Sequence, residues 1–173
     1  MHEMDGARPG MDGARVGART LALAVSGPAA LGAAIGARFG IAALATRAAL
    51  TPAIVVGVTA LMVPALYIAA SLVGEAPPMG RFGAAAAAGL RAAGIAMLGL
   101  TGPALFLIGT ARGTAAVWLV GGGALFAGVL VGLRALYRAL FGEGLAPNLR
   151  LVVFGSWSAV AMAIGARLLV GAP

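Results

Sequence analysis

Residues 48–73, AALTPAIVVGVTALMVPALYIAASLV, hold no charged residue across twenty-six positions. A segment that long and that apolar reads as a membrane-spanning helix. At ~1.5 Å rise per residue it reaches about 39 Å, more than the roughly 30 Å hydrocarbon core requires, so the helix must tilt or bend. Pro64, near the middle, has no amide hydrogen and frees the carbonyl four residues before it, which marks a helix kink. Pro52 lies in the first turn of the run, where a missing amide donor is cheap.

The rest of the chain has the same character. Of its 173 residues 61% are hydrophobic and 10% charged, outside the range of soluble domains. The apolar runs are continuous and rich in Ala and Gly, not the alternating short segments of a membrane barrel. The fold class expected is therefore all-α, a polytopic integral membrane bundle of about five transmembrane helices. All twelve basic residues are Arg, set against five acids, and they punctuate the apolar runs one or two at a time. That pattern points to membrane anchoring in the lipid bilayer and away from nucleic acid. With no Cys, the chain has no disulfide framework and no thiolate metal site.

Residues 1–19 carry a tandem repeat, Met4-Asp-Gly-Ala-Arg-Pro-Gly10 and Met11-Asp-Gly-Ala-Arg-Val-Gly17. They read as a polar, Gly-rich disordered tail, ahead of a membrane domain over 20–173. The first span, 20–37, is the weakest of the five and shares features with a cleavable signal peptide, a basic start and small residues after Gly27-Pro28. Against cleavage, Gly32, Gly36 and Gly40 stand four apart, the spacing that lets membrane helices approach closely. Residues 39–46 read as a connection or a helix extension. The second span is 48–73. Residues 74–91 begin as a loop and end as helix, leading to a third span at 92–111 with a second kink at Pro103.

Arg112-Gly113 closes a tight turn into a fourth span, 113–133, where Gly128-x-x-x-Gly132 forms a thin face for helix packing. Beyond it Arg134 and Arg138 stand on one side of an amphipathic turn with Tyr137, a pattern that lies along a headgroup layer. The loop at 142–147 precedes the last span, 148–170, in which Arg167 snorkels to the interface. Arg134, Tyr137, Arg138 and Arg167 are the expected interfacial anchors. Five spans put eight arginines (8, 15, 19, 81, 91, 134, 138, 150) on one side and four (38, 47, 112, 167) on the other. The positive-inside rule then puts the N-terminus in the cytoplasm and the C-terminus outside.

No acid lies within a span, and the single histidine, His2, is in the tail. Proton relays, haem ligation and carboxylate metal sites need such groups. A serine nucleophile needs a base, and the membrane region has neither His nor Lys. The expectation is a protein with no catalytic residue, no cofactor and no metal.

The chain from about Gly36 onward resembles a bacterial family of uncharacterised multi-span proteins, Yip-like and sometimes automatically labelled actin-binding. The matching points are Thr59-Ala-Leu-Met-Val-Pro64-Ala-Leu-Tyr67, Pro103, Gly132-Leu-Arg134-Ala-Leu-Tyr137 and Arg167-Leu-Leu-Val-Gly171-Ala-Pro173. Leu50 stands where that family often has a basic residue, Ala161 and Ile164 where its last span has aromatics and Gln, and Leu168 where it has Pro. The resemblance implies a multi-span architecture in a bacterial cytoplasmic (inner) membrane and no established activity.

Together these readings lead to a non-enzymatic scaffold or accessory subunit acting through helix packing, with a membrane-protein partner or a second copy of itself. The alternative is a channel or facilitator for a small neutral solute, its path lined by the helices broken at Pro64 and Pro103.

Overall fold

The computed structural model describes residues 9–72, 78–141 and 148–171, and five helices account for nearly all of them: α1 Pro9–Ala37, α2 Ile41–Leu72, α3 Met79–Thr110, α4 Thr114–Phe141 and α5 Asn148–Gly171. No strand occurs among the described residues. Each helix is long and apolar enough to cross a membrane, so the chain has the all-α architecture of a multi-pass membrane protein. Residues 1–8 of the expected tail, Val73 of the expected second span, 74–77 and the expected loop at 142–147 lie outside the described residues.

Two tight turns pair the helices. At Gly40 the backbone takes φ +107°, a region that L side chains rarely adopt, and at Gly113 it takes φ +91°. The Phe39 amide donates to the Gly36 carbonyl at 2.9 Å, closing α1, and the Leu44 amide donates to the Gly40 carbonyl at 2.9 Å, opening α2. The hairpins α1–α2 and α3–α4 follow from these turns. We call the end of the bundle that holds both turns the turn end, and the opposite one the far end.

The helix that composition ranks weakest, α1, lies where α2, α3 and α4 converge, and its apolar window is the most buried of the five. Leu31 and Ile35 are fully buried in a core cluster with Met97 of α3 and Val117 of α4. A side-chain carbon at Gly27 would meet the backbone of Gly94, and one at Gly94 would meet the carbonyl of Leu23. Gly32 and Gly36 likewise abut α2, at Arg47, Thr51, Ala43 and Leu44. Backbone approach of this kind replaces the hydrophobic drive that lipid withholds from membrane helices. Gly40 belongs to the turn and not to that face.

Several boundaries differ from the sequence expectation. Residues 9–19, expected to be disordered, form the first part of α1. Once a helix is nucleated by a packed segment, each added residue gains a hydrogen bond without repeating the nucleation cost, and Pro9 sits at the first helical position, where it is tolerated. Of the segment 39–46, read as a connection or a helix extension, residues 41–46 extend α2, and in the segment 74–91, read as loop and then helix, the helix starts at Met79. The amphipathic turn at 133–141 does not leave the bundle to lie along a surface. It continues α4 because Leu136 and Leu140 are buried against Leu66 of α2 and Phe82 of α3.

Neither Pro64 nor Pro103 interrupts its helix: α2 runs from Ile41 to Leu72 and α3 from Met79 to Thr110. Both prolines are exposed on the outward face. Bulky outward residues such as Leu61, Ile68, Phe106 and Leu119 make the surface apolar, as a bilayer requires.

Candidate functional site

The polar groups within the helices are mostly engaged by their own backbones. Thr51 Oγ1 donates to the Arg47 carbonyl at 2.8 Å, Thr59 Oγ1 to Val55 at 2.7 Å and Thr101 Oγ1 to Met97 at 2.8 Å. Ser71 and Ser156 make similar bonds to Tyr67 and Val153. Such back-bonding satisfies a hydroxyl inside an apolar helix and removes it as a free donor.

Helix α5 is attached differently from the others. It packs along α2, and Trp157 Nε1 donates to the Met62 carbonyl of α2 at 2.8 Å. At the far end its rings join an aromatic cluster: Phe154 stands 5.1 Å from Tyr137 and 6.4 Å from Phe141, both on α4, and 5.7 Å from Trp157. Nearer the turn end, Gly122 on α4 and Gly165 on α5 border a gap, with no atom within 4 Å of where either side chain would start.

The gap is a partly open cavity of about 470 Å³ walled by α2, α3, α4 and α5. Its α2 wall runs from Thr51 to Met62, about 16 Å at ~1.5 Å per residue. The α4 wall includes Trp118, Leu125, Phe126 and Val129, and the α5 wall Ala161, Met162 and Leu169. Such a volume falls within the range of small-molecule sites, but the wall is almost wholly apolar. At the turn end the Arg47 guanidinium carbon lies 4.6 Å from the centre of the Trp118 ring, a cation–π contact, with Phe39 6.5 Å from the same ring.

The residues singled out from sequence fall in three places. Gly128 faces Met97, and Gly132 faces Ala93 and the Gly89 carbonyl, so this pair brings α4 onto α3 inside the chain. Pro64 and Pro103 are turned away from the cavity and contribute nothing to its wall. Arg134, Arg138 and Arg167 are exposed near helix ends. The Tyr137 ring contacts both Phe141 and Phe154, at 5.2 and 5.1 Å, and its hydroxyl is buried without a hydrogen-bond partner among the described residues.

Sequence reading missed the cavity, Arg47 and Trp118. A signal existed for the pair, an Arg just before one apolar run and a Trp just inside another on the same side of the membrane, but nothing local shows that they touch. No family model, curated protein or solved structure matches the chain.

Proposed function

We propose that this chain is a non-enzymatic integral membrane protein that serves as a scaffold or accessory subunit through helix packing. The supporting observation is the outward face of α2, whose apolar window is the least buried of the five. Ala53, Gly57, Ala60 and Pro64 lie exposed along it, and no atom approaches within 4 Å of where a Gly57 side chain would start. That thin, unoccupied strip has the shape a second membrane helix packs against. The other small-residue contacts, at Gly27, Gly32, Gly36, Gly128 and Gly132, are already closed within the chain.

The back-bonded hydroxyls of α2, α3 and α5 support a packing role over a catalytic one. The facilitator reading draws support from the cavity, though two outward-facing prolines give it no broken helix along the path. The eight-to-four split of arginines supports a bacterial cytoplasmic membrane location with the N-terminus inside and the C-terminus outside.

Purification in mild detergent through a tag after Pro173, followed by native mass spectrometry, tests the role. The expected result is a stoichiometric membrane-protein partner or a second copy, lost in Gly57→Leu while the monomer stays folded. A monomeric, partner-free protein overturns the reading.

A further inference from the structure

The cavity and the guanidinium at its turn end call for a ligand that packing does not explain. Arg47 stands one helical turn before Thr51, a wall residue, and its guanidinium lies over Trp118, another wall residue. Contact with the ring occupies one face of the guanidinium and leaves its in-plane N–H donors available. Among the described residues the guanidinium makes its contact with Trp118 and no side-chain hydrogen bond or ion pair.

The charge around it is uncompensated. No residue in 20–72, 78–141 or 148–171 is acidic, and Asp12 belongs to the opposite end of α1. Arg38, Arg112 and Arg167 add three more cations near the turn end. A permanent cation beside an apolar cavity, with no acidic side chain near it among the described residues, selects an anion.

The cavity itself selects the remainder of the ligand. Thr51 and Thr59, the wall's hydroxyl side chains, are bonded to their own helix, so they offer no free donor to a polar solute. The cavity is partly open and apolar along about 16 Å of α2, a shape that an extended hydrocarbon chain follows. We propose that the cavity holds an acyl chain of one anionic phospholipid whose phosphate is hydrogen-bonded by Arg47. This assignment is independent of the α2 packing face and stands whether or not a protein partner exists.

The test is titration of the full chain in mild detergent with phosphatidylglycerol, with phosphatidylcholine of the same chains, and with inorganic phosphate alone, read by native mass spectrometry and thermal unfolding. The expected result is one phosphatidylglycerol per chain, bound about tenfold more tightly than phosphatidylcholine, whose phosphate is the same but whose choline cation offsets the attraction to the Arg47 guanidinium. Arg47→Gln removes that preference, and Arg112→Gln, which lowers the net charge equally, retains it. Gly122→Leu and Gly165→Leu, which project into the cavity from positions with no atom within 4 Å, weaken both lipids while the protein stays folded. Equal affinity for the two lipids, equal loss in Arg112→Gln, full binding in both filled variants, or equal stabilisation by inorganic phosphate would each overturn the proposal.

Discussion

Trp157 on α5 donates its indole N–H to the backbone carbonyl of Met62 on α2 at 2.8 Å, joining two helices ninety-five residues apart in sequence. The bond sits two residues before Pro64, in a stretch where the α2 ladder already lacks one donor. It orients α5 along α2 and so helps set the gap that becomes the cavity. Trp157→Phe keeps most of the ring and deletes the donor. Stability should fall by about 1 kcal/mol, the scale of interhelical hydrogen bonds in membranes, measured as a lower unfolding midpoint in detergent. An unchanged midpoint would mean that the contact does not hold α5.

The contact of Gly27 with Gly94 brings α1 onto α3 with no room for a side chain on either. Gly94→Ala forces the backbones apart and should cost about 1–3 kcal/mol, as overpacking does elsewhere. Gly99→Ala, on the same helix with no atom within 4 Å, should be neutral or stabilise by up to about 1 kcal/mol through helix propensity. Comparing the two midpoints separates close approach from a general effect of replacing glycine.

The turn between α1 and α2 depends on Gly40 at φ +107°. Gly40→Ala places a side chain in a backbone region that resists it, at about 1–2 kcal/mol. Because α1 is the helix on which α2, α3 and α4 converge, the loss should appear as global destabilisation and not as local fraying. Protease resistance of the whole bundle and its unfolding midpoint should fall together.

The Tyr137 hydroxyl is buried with no partner, and so is the Ser158 hydroxyl. An unsatisfied buried polar group costs about 1–3 kcal/mol. Tyr137→Phe keeps the ring contacts with Phe141 and Phe154 and removes that burden, so the variant should be at least as stable as the natural chain. A clearly lower midpoint in Tyr137→Phe would show that the hydroxyl has a bound partner.

Much of the architecture is legible because lipid makes local composition decisive. An uninterrupted apolar run such as 48–73 must be helical to satisfy its own backbone, and Arg112-Gly113 separates two runs too closely for anything but a hairpin. Helix ends are less legible, since propagation past Arg19 or back to Met79 depends on the backbone ladder and not on hydropathy. The rank of α1 was not legible. Its short apolar run looks weak alone, and its place in the core comes from Gly27 meeting Gly94, a contact between residues sixty-seven apart in sequence. The cavity is hidden for the same reason, because its wall is assembled from four helices and Arg47 meets Trp118 from far away in sequence.

The proposed role requires all five helices to cross the membrane, with α1 retained at the heart of the bundle. Dual-topology tagging tests this most directly: an accessibility tag ahead of Pro9 and a second after Pro173 on the same chain, each read in intact cells and in permeabilised ones. Five crossings place the tags on opposite sides, the first cytoplasmic and the second outside, on a chain of full mass. Both tags on one side, or loss of the first tag through cleavage near Ala37, would contradict it.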